Sequence, residues 1–185
     1  MTATLRRLAR WETCGNKSRM EHTANSAPDL SPDLVAPRDQ LAYYDRQTLT
    51  LPHPMTPLQV WQAMMARPLP LIGLAFRIRD AIASRFGVKR IAGFSGAPVT
   101  EVAPGDRLDF FLVERSTPTA LTLTERDRHL DVMIAVTVDG CDLAITASVI
   151  THNTFGRAYM LPVAPAHKLI VRAMMRRLKR DLLAA

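Results

Sequence analysis

The sequence predicts an α+β domain in which an antiparallel sheet curves around a long C-terminal helix. Three observations carry this. Segments rich in Val, Ile, Thr and Phe follow one another from Arg107 to Thr151, separated by turn residues. Asp139-Gly140 inside that run is a two-residue hairpin signal. From Pro165 the spacing is helical to the end. Strands in series followed by a helix argue for α+β rather than a doubly wound sheet.

Residues 1–22 are Arg-rich without an apolar stretch, so they are not a secretory signal, and Met20 would serve as an internal initiator. Residues 23–40 carry Pro28, Pro32 and Pro37 among Ser, Ala and Asp. The expected division is therefore a disordered arm and Pro-rich linker over 1–40, dispensable for folding, and one folded domain over 41–185.

Tyr43 to Leu51 alternates as a first strand, ended by Pro52 and Pro54. Two short helices follow. Thr56-Pro57 matches an N-cap with Pro at the first helical position, and Leu58 to Ala66 continues it with Trp61 and Met65 one turn apart. Pro68 and Pro70 break the chain, and Leu71 to Phe86 resumes helical spacing up to Gly87. A short strand is expected at Ile91 to Phe94. Stronger ones follow at Arg107 to Glu114, Ala120 to Glu125, His129 to Val138 and Cys141 to Thr151, with a further weak one at Arg157 to Leu161.

In the last helix, Val171, Met174, Leu178 and Leu182 recur at spacings of three and four, widened by Ile170 and Met175. Lys168, Arg172, Arg176, Lys179 and Arg180 fall on another side, read as a solvated face. His167 lies one turn before Val171, on the inward stripe.

With Asp139-Gly140 as the loop, Val138 opposes Cys141, Met133 opposes Thr146 and Asp131 opposes Ser148. One face then carries Leu130, Val132, Ile134 and Val136 with Leu143, Ile145, Ala147 and Val149, and is core. The other carries His129, Asp131, Met133 and Ala135 with Ala144, Thr146, Ser148, Ile150 and His152. It lines a polar cavity, forms a subunit contact in a homodimer, or simply hydrogen-bonds along a sheet edge.

Net charge is +7, but it is local. Residues 1–22 hold five basic and two acidic groups, and residues 168–181 hold six and one, leaving 23–167 near −1 by subtraction (7 − 3 − 5). No basic domain and no stacking strand for nucleic acid follows. No apolar run reaches the roughly 20 residues of a membrane span. Cys14 and Cys141 form no C-x-x-C pair, so neither a thiolate metal site nor a disulfide framework is indicated, and a reducing cytoplasm is the default.

Three blocks resemble the domain-of-unknown-function family 2867: Asp127-Arg128-His129-Leu130-Asp131, then His152-Asn153-Thr154-Phe155-Gly156-Arg157-Ala158-Tyr159-Met160, then Pro165-Ala166-His167-Lys168-Leu169-Ile170. Trp61 and Pro104-Gly105-Asp106 are similar to that family as well. The resemblance covers about Tyr43 to the C-terminus. The family pattern has Phe and Arg where this chain has Val132 and Met133, and Phe and Arg beside the helix His where Ala166 and Lys168 stand. The resemblance extends distantly to the START and polyketide-cyclase (SRPBCC) helix-grip proteins. It implies a helix-grip fold with a cavity between sheet and helix, and no assigned activity.

Two functions compete. The first is binding of a small apolar or amphipathic ligand, with His129, Asp131, His152, Asn153, Arg157, Tyr159 and His167 as candidate contacts. In that version Arg157 and Tyr159 flank His167 and donate to a ligand acid or carbonyl. The second is an acid–base enzyme of cyclase, hydratase or isomerase type using His129, Asp131, His152 or His167, because a His charge changes near neutral pH. An interaction subunit is a further possibility. No nucleophile motif, Gly-rich phosphate loop or H-x-x-x-H pair is present, and neither cofactor nor metal is expected.

Overall fold

Among residues 31–66 and 99–184, which the computed structural model describes, a short 3-10 turn at Arg38–Gln40 precedes strand β1, Tyr43–Thr50. Thr56-Pro57 then opens helix α1, Pro57–Met65. The Thr56 hydroxyl accepts from Gln59 N at 3.2 Å, and the Gln59 side chain accepts from Thr56 N at 2.8 Å. Two otherwise orphaned N–H groups are satisfied reciprocally. The helix expected over 71–86 and the strand over 91–94 lie outside the described residues.

The stretch Arg107 to Glu114 is two strands rather than one: β2, Arg107–Leu108, and β3, Phe111–Ser116. Asp109 turns the chain between them with φ of 57°, a left-handed conformation that Asp adopts more readily than most residues. Next come β4, Ala120–Arg126, β5, Leu130–Asp139, and β6, Asp142–Thr151. Helix α2 fills Thr154–Leu183.

Helix, not strand, therefore occupies 157–161, and α2 begins well before Pro165. Asn153 caps it by accepting from Gly156 N at 3.0 Å. Pro162 and Pro165 sit inside the helix. Each removes the hydrogen bond to the carbonyl four residues earlier, at Ala158 and Leu161. Those two residues and both prolines are exposed, so water reaches the freed carbonyls.

The strands form one curved antiparallel sheet in the order β1-β6-β5-β4-β3-β2. In the β5–β6 hairpin Asp139 pairs with Asp142, Val138 with Leu143 and Asp131 with Ile150. The loop is Gly140-Cys141, one residue later than expected, with Gly140 at φ 57° in the first loop position. Each pairing moves by two residues, so each side chain keeps its expected face.

Both helices cover the expected core face, α1 over β4 and β5 and α2 over β1 and β6. Val136, Val138, Leu143 and Ile145 meet Val60, Trp61 and Met64 of α1 and Met174, Met175 and Leu178 of α2. Trp61 packs edge-on against Phe111 with ring centroids 5.7 Å apart. Arg177 ties the helices together by donating to the Met64 carbonyl at 3.1 Å. No described helix is long and apolar enough to cross a membrane.

The second face is buried too. Thr122, Thr124, Met133, Ala135, Ala144, Thr146 and Ser148 are all inaccessible to solvent or nearly so. Residues 31–40, expected as the end of a disordered linker, pack here. Val35 N donates to Ser148 Oγ at 3.1 Å, Asp33 accepts from Thr122 Oγ1 and pairs with Arg115 at 3.2 Å, and the Arg38 guanidinium sits over the Tyr44 ring. Small residues on that face let the strap approach closely. The folded unit therefore begins before residue 40.

Candidate functional site

Polar side chains gather in three places, and the seven candidate residues divide among them. The first is the junction between β5 and α2. His129 lies just before β5, and its Nδ1 is within hydrogen-bonding distance of the Asn153 side chain, 2.9 Å from Nδ2 and 3.2 Å from Oδ1. Arg128 Nε donates to His129 Nε2 at 2.9 Å, and the Phe155 ring packs against the imidazole at a tilt, with centroids 4.6 Å apart. Asn153 Nδ2 also donates to the Arg128 carbonyl at 3.0 Å. Both His129 nitrogens are thus engaged, Nδ1 with the helix start at Asn153 and Nε2 with its neighbour Arg128. Tyr159 stacks on Phe155 at 6.4 Å, and Arg157 reaches back to Thr154 Oγ1 at 3.1 Å. Gly156 is forced by contact: a Cβ there would lie 2.3 Å from the His129 carbonyl oxygen.

The second place is the polar row on the second sheet face. Asp131 pairs with His152 Nε2 at 3.0 Å and with Arg126 at 3.6 Å. Arg126 continues to Glu114 at 2.9 Å, and Thr124 donates to the same carboxylate at 2.8 Å. Desolvation pushes the Glu114 carboxyl up, but hydrogen bonds from Arg126 and Thr124 outweigh it and hold the carboxyl below its ordinary value. Cross-strand pairing puts these residues in line, since Arg126 opposes Asp131 and Thr124 opposes Met133.

The third place lies between β1 and α2. His167 packs edge-on against Tyr43, with ring centroids 6.0 Å apart. Asp45, two residues along β1 on the same face, is buried; it accepts from Gln47 at 2.7 Å and pairs with Lys168 at 3.7 Å. Gln47 also donates to the Lys168 carbonyl at 3.0 Å, pinning this turn of the helix to the strand. The Tyr43 hydroxyl and His167 Nδ1 are buried and have no hydrogen-bond partner among the described residues. Burial, aided by the Asp45 charge, pushes the Tyr43 phenol up to about 12. Burial pulls the His167 imidazole below its ordinary value, against the opposing pull of Asp45. At neutral pH the pair is an uncharged O–H donor and an uncharged imidazole.

His129, Asn153, Arg157 and Tyr159 thus gather at one end of α2, Asp131 and His152 lie on the opposite sheet face, and His167 stands apart. Eight residues separate Tyr159 from His167, about 12 Å along a helix. The expected flanking of His167 by Arg157 and Tyr159 is replaced by Tyr43 and Asp45, which sequence reasoning missed. Their signal was available in the alternation of β1, which places Tyr43, Asp45 and Gln47 on one face, but the β1–β6 register was not. Among the described residues, no group of three or more His, Cys, Asp or Glu side chains could hold a metal ion.

A family model described as a protein of unknown function, DUF2867, matches residues 38–174. The chain belongs to that family. No curated protein and no solved structure matches it. The DUF2867 match spans β1 through most of α2, so it includes all three polar clusters. It begins at Arg38, inside the segment that packs on the second sheet face.

Proposed function

We propose that this DUF2867 protein binds a small, largely apolar molecule between its sheet and α2, with a polar end at Tyr43 and His167. One observation carries the reading: the Tyr43 hydroxyl and His167 Nδ1 are buried, and neither has a hydrogen-bond partner among the described residues. An unsatisfied buried polar group costs about 1–3 kcal/mol. Two such groups on adjoining rings are a standing demand for a hydrogen-bonding guest. Both groups are uncharged and Asp45 is adjacent, so the site favours a hydroxyl, ketone or amide over a carboxylate. The helix-grip architecture implied by the family resemblance supports the same reading.

Native mass spectrometry of protein purified from cells tests it. A non-covalent adduct larger than water is expected, reduced in Tyr43→Phe and His167→Leu. An adduct-free protein in which both variants gain stability would refute it, since the two polar groups would then be unrewarded.

A second reading rests on the Asp131–His152 pair, whose 3.0 Å contact suits a carboxylate orienting an imidazole base. Arg126 also holds Asp131, and the His152 side chain is 38% exposed, so the row is equally a satisfied cross-strand network. His152→Gln abolishing turnover of a substrate while leaving adduct binding intact would favour this enzyme reading over the first.

A further inference from the structure

The outer side of α2 is not the uniform polar surface that a solvated helix presents. Its first half exposes Ala158, Leu161, Pro162, Pro165, Ala166 and Leu169, at helical spacings of three and one. Leu161 is 77% and Leu169 65% exposed, two of the three large apolar side chains singled out as exposed among the described residues. Continuing along the same side, the second half exposes Arg172, Arg176, Lys179 and Arg180. From Thr154 to Arg180 the helix has no acidic residue, and Asp181 is the first. Apolar groups therefore dominate the first half of this convex ridge, with Arg157 and Lys168 exposed beside them, and basic groups dominate the second.

We propose that this ridge seats on an anionic lipid surface, with Leu161 and Leu169 entering the headgroup–acyl boundary and the Arg172 to Arg180 cations meeting lipid phosphates. Three features favour lipid over a protein groove. The ridge is convex. The exposed charged side chains of its first half, Arg157 and Lys168, are cations like those of its second. The charge is of one sign, matched to a surface that is anionic throughout. The two prolines fit as well, because backbone carbonyls freed at Ala158 and Leu161 remain hydrated at the interface. The inference is independent of the ligand proposed between sheet and helix, which lies on the other side of α2.

Co-sedimentation of the full chain with vesicles tests it. Phosphatidylcholine vesicles are compared with vesicles that also contain phosphatidylglycerol. Because residues 1–22 carry extra basic groups, the variants decide rather than the wild-type binding alone. Leu161→Glu with Leu169→Glu is expected to lower partitioning onto the anionic vesicles on the order of tenfold, and so is Arg172→Glu with Arg176→Glu. All four positions are exposed, so both variants should keep the parent melting temperature. Equal binding by parent and both variants overturns the proposal, as does absence of binding. A concentration-dependent dimer lost in Leu161→Glu with Leu169→Glu also overturns it, and would assign the ridge to a second copy of the chain.

Discussion

Replacing Gly156 by Ala adds one methyl group where α2 meets the start of β5. The new Cβ would lie 2.3 Å from the His129 carbonyl oxygen and 3.1 Å from its carbon. These are backbone atoms, so no rotamer change relieves the clash. The oxygen is already committed, accepting from His152 N at 2.8 Å. Either the helix start moves out or the strand end moves away. Moving the helix start weakens the Asn153 cap, worth about 1 kcal/mol. Moving the strand loosens the His152–His129 bond, also worth about 1 kcal/mol. Overpacking strain adds about 1–3 kcal/mol. The better helix propensity of Ala offsets about 1 kcal/mol of this at most, less in a first turn. The net expectation is a loss of about 1–3 kcal/mol, a fall in melting temperature of roughly 3–10 °C for a domain of this size. Thermal and urea melts followed by far-UV circular dichroism would measure it. A Gly156→Ala protein as stable as the parent would refute the reasoning, because the close approach of helix to carbonyl would then not exist in solution.

A chain starting at Arg38 should melt below one starting at Ser31, by about 1–3 kcal/mol in urea denaturation, because Thr122, Ser148 and Arg115 lose their partners; equal stability would return these residues to the linker. Thr56→Ala should cost about 1 kcal/mol through the capping box, and Thr56→Ser much less, in the same assay. His167 gives stability a pH dependence of definite sign. Its folded pKa lies below the ordinary 6.5, so below that pH the unfolded chain binds more protons than the folded one. Stability contributed by the neutral ring is therefore complete above about 6.5 and is lost as pH falls toward the folded value. His167→Gln should flatten the difference in stability between pH 7 and pH 5, and an unchanged slope would show that the ring is not buried neutral.

Locally encoded features were legible in the sequence. Thr56, Pro57 and Gln59 lie within one turn and specify their helix start without outside help. The β5–β6 hairpin was legible in its faces though not in its loop, because a two-residue shift leaves the side-chain alternation unchanged. Features set by distant contacts were not. Val35 and Asp33 look like linker until Ser148 and Thr122 are placed beneath them. Pro162 and Pro165 argue against a continuous helix until their carbonyl partners prove to be solvent-facing. The Tyr43–His167 contact joins residues from the first strand and the last helix, and only the β1–β6 pairing brings them together.

That pairing also orders events in time. Tyr43 pairs with Val149 and Thr50 with Asp142 across this long connection, whereas the other pairings, β2 with β3, β3 with β4, β4 with β5 and β5 with β6, join strands that follow one another. Closing the long loop costs entropy before any contact rewards it, while each hairpin closes over a short one. On a ribosome the partner of β1 does not yet exist when residues 43–50 leave the exit tunnel. The first strand made is the last that can pair, and until then its Tyr43 and Asp45 are without the helix that will later shelter them.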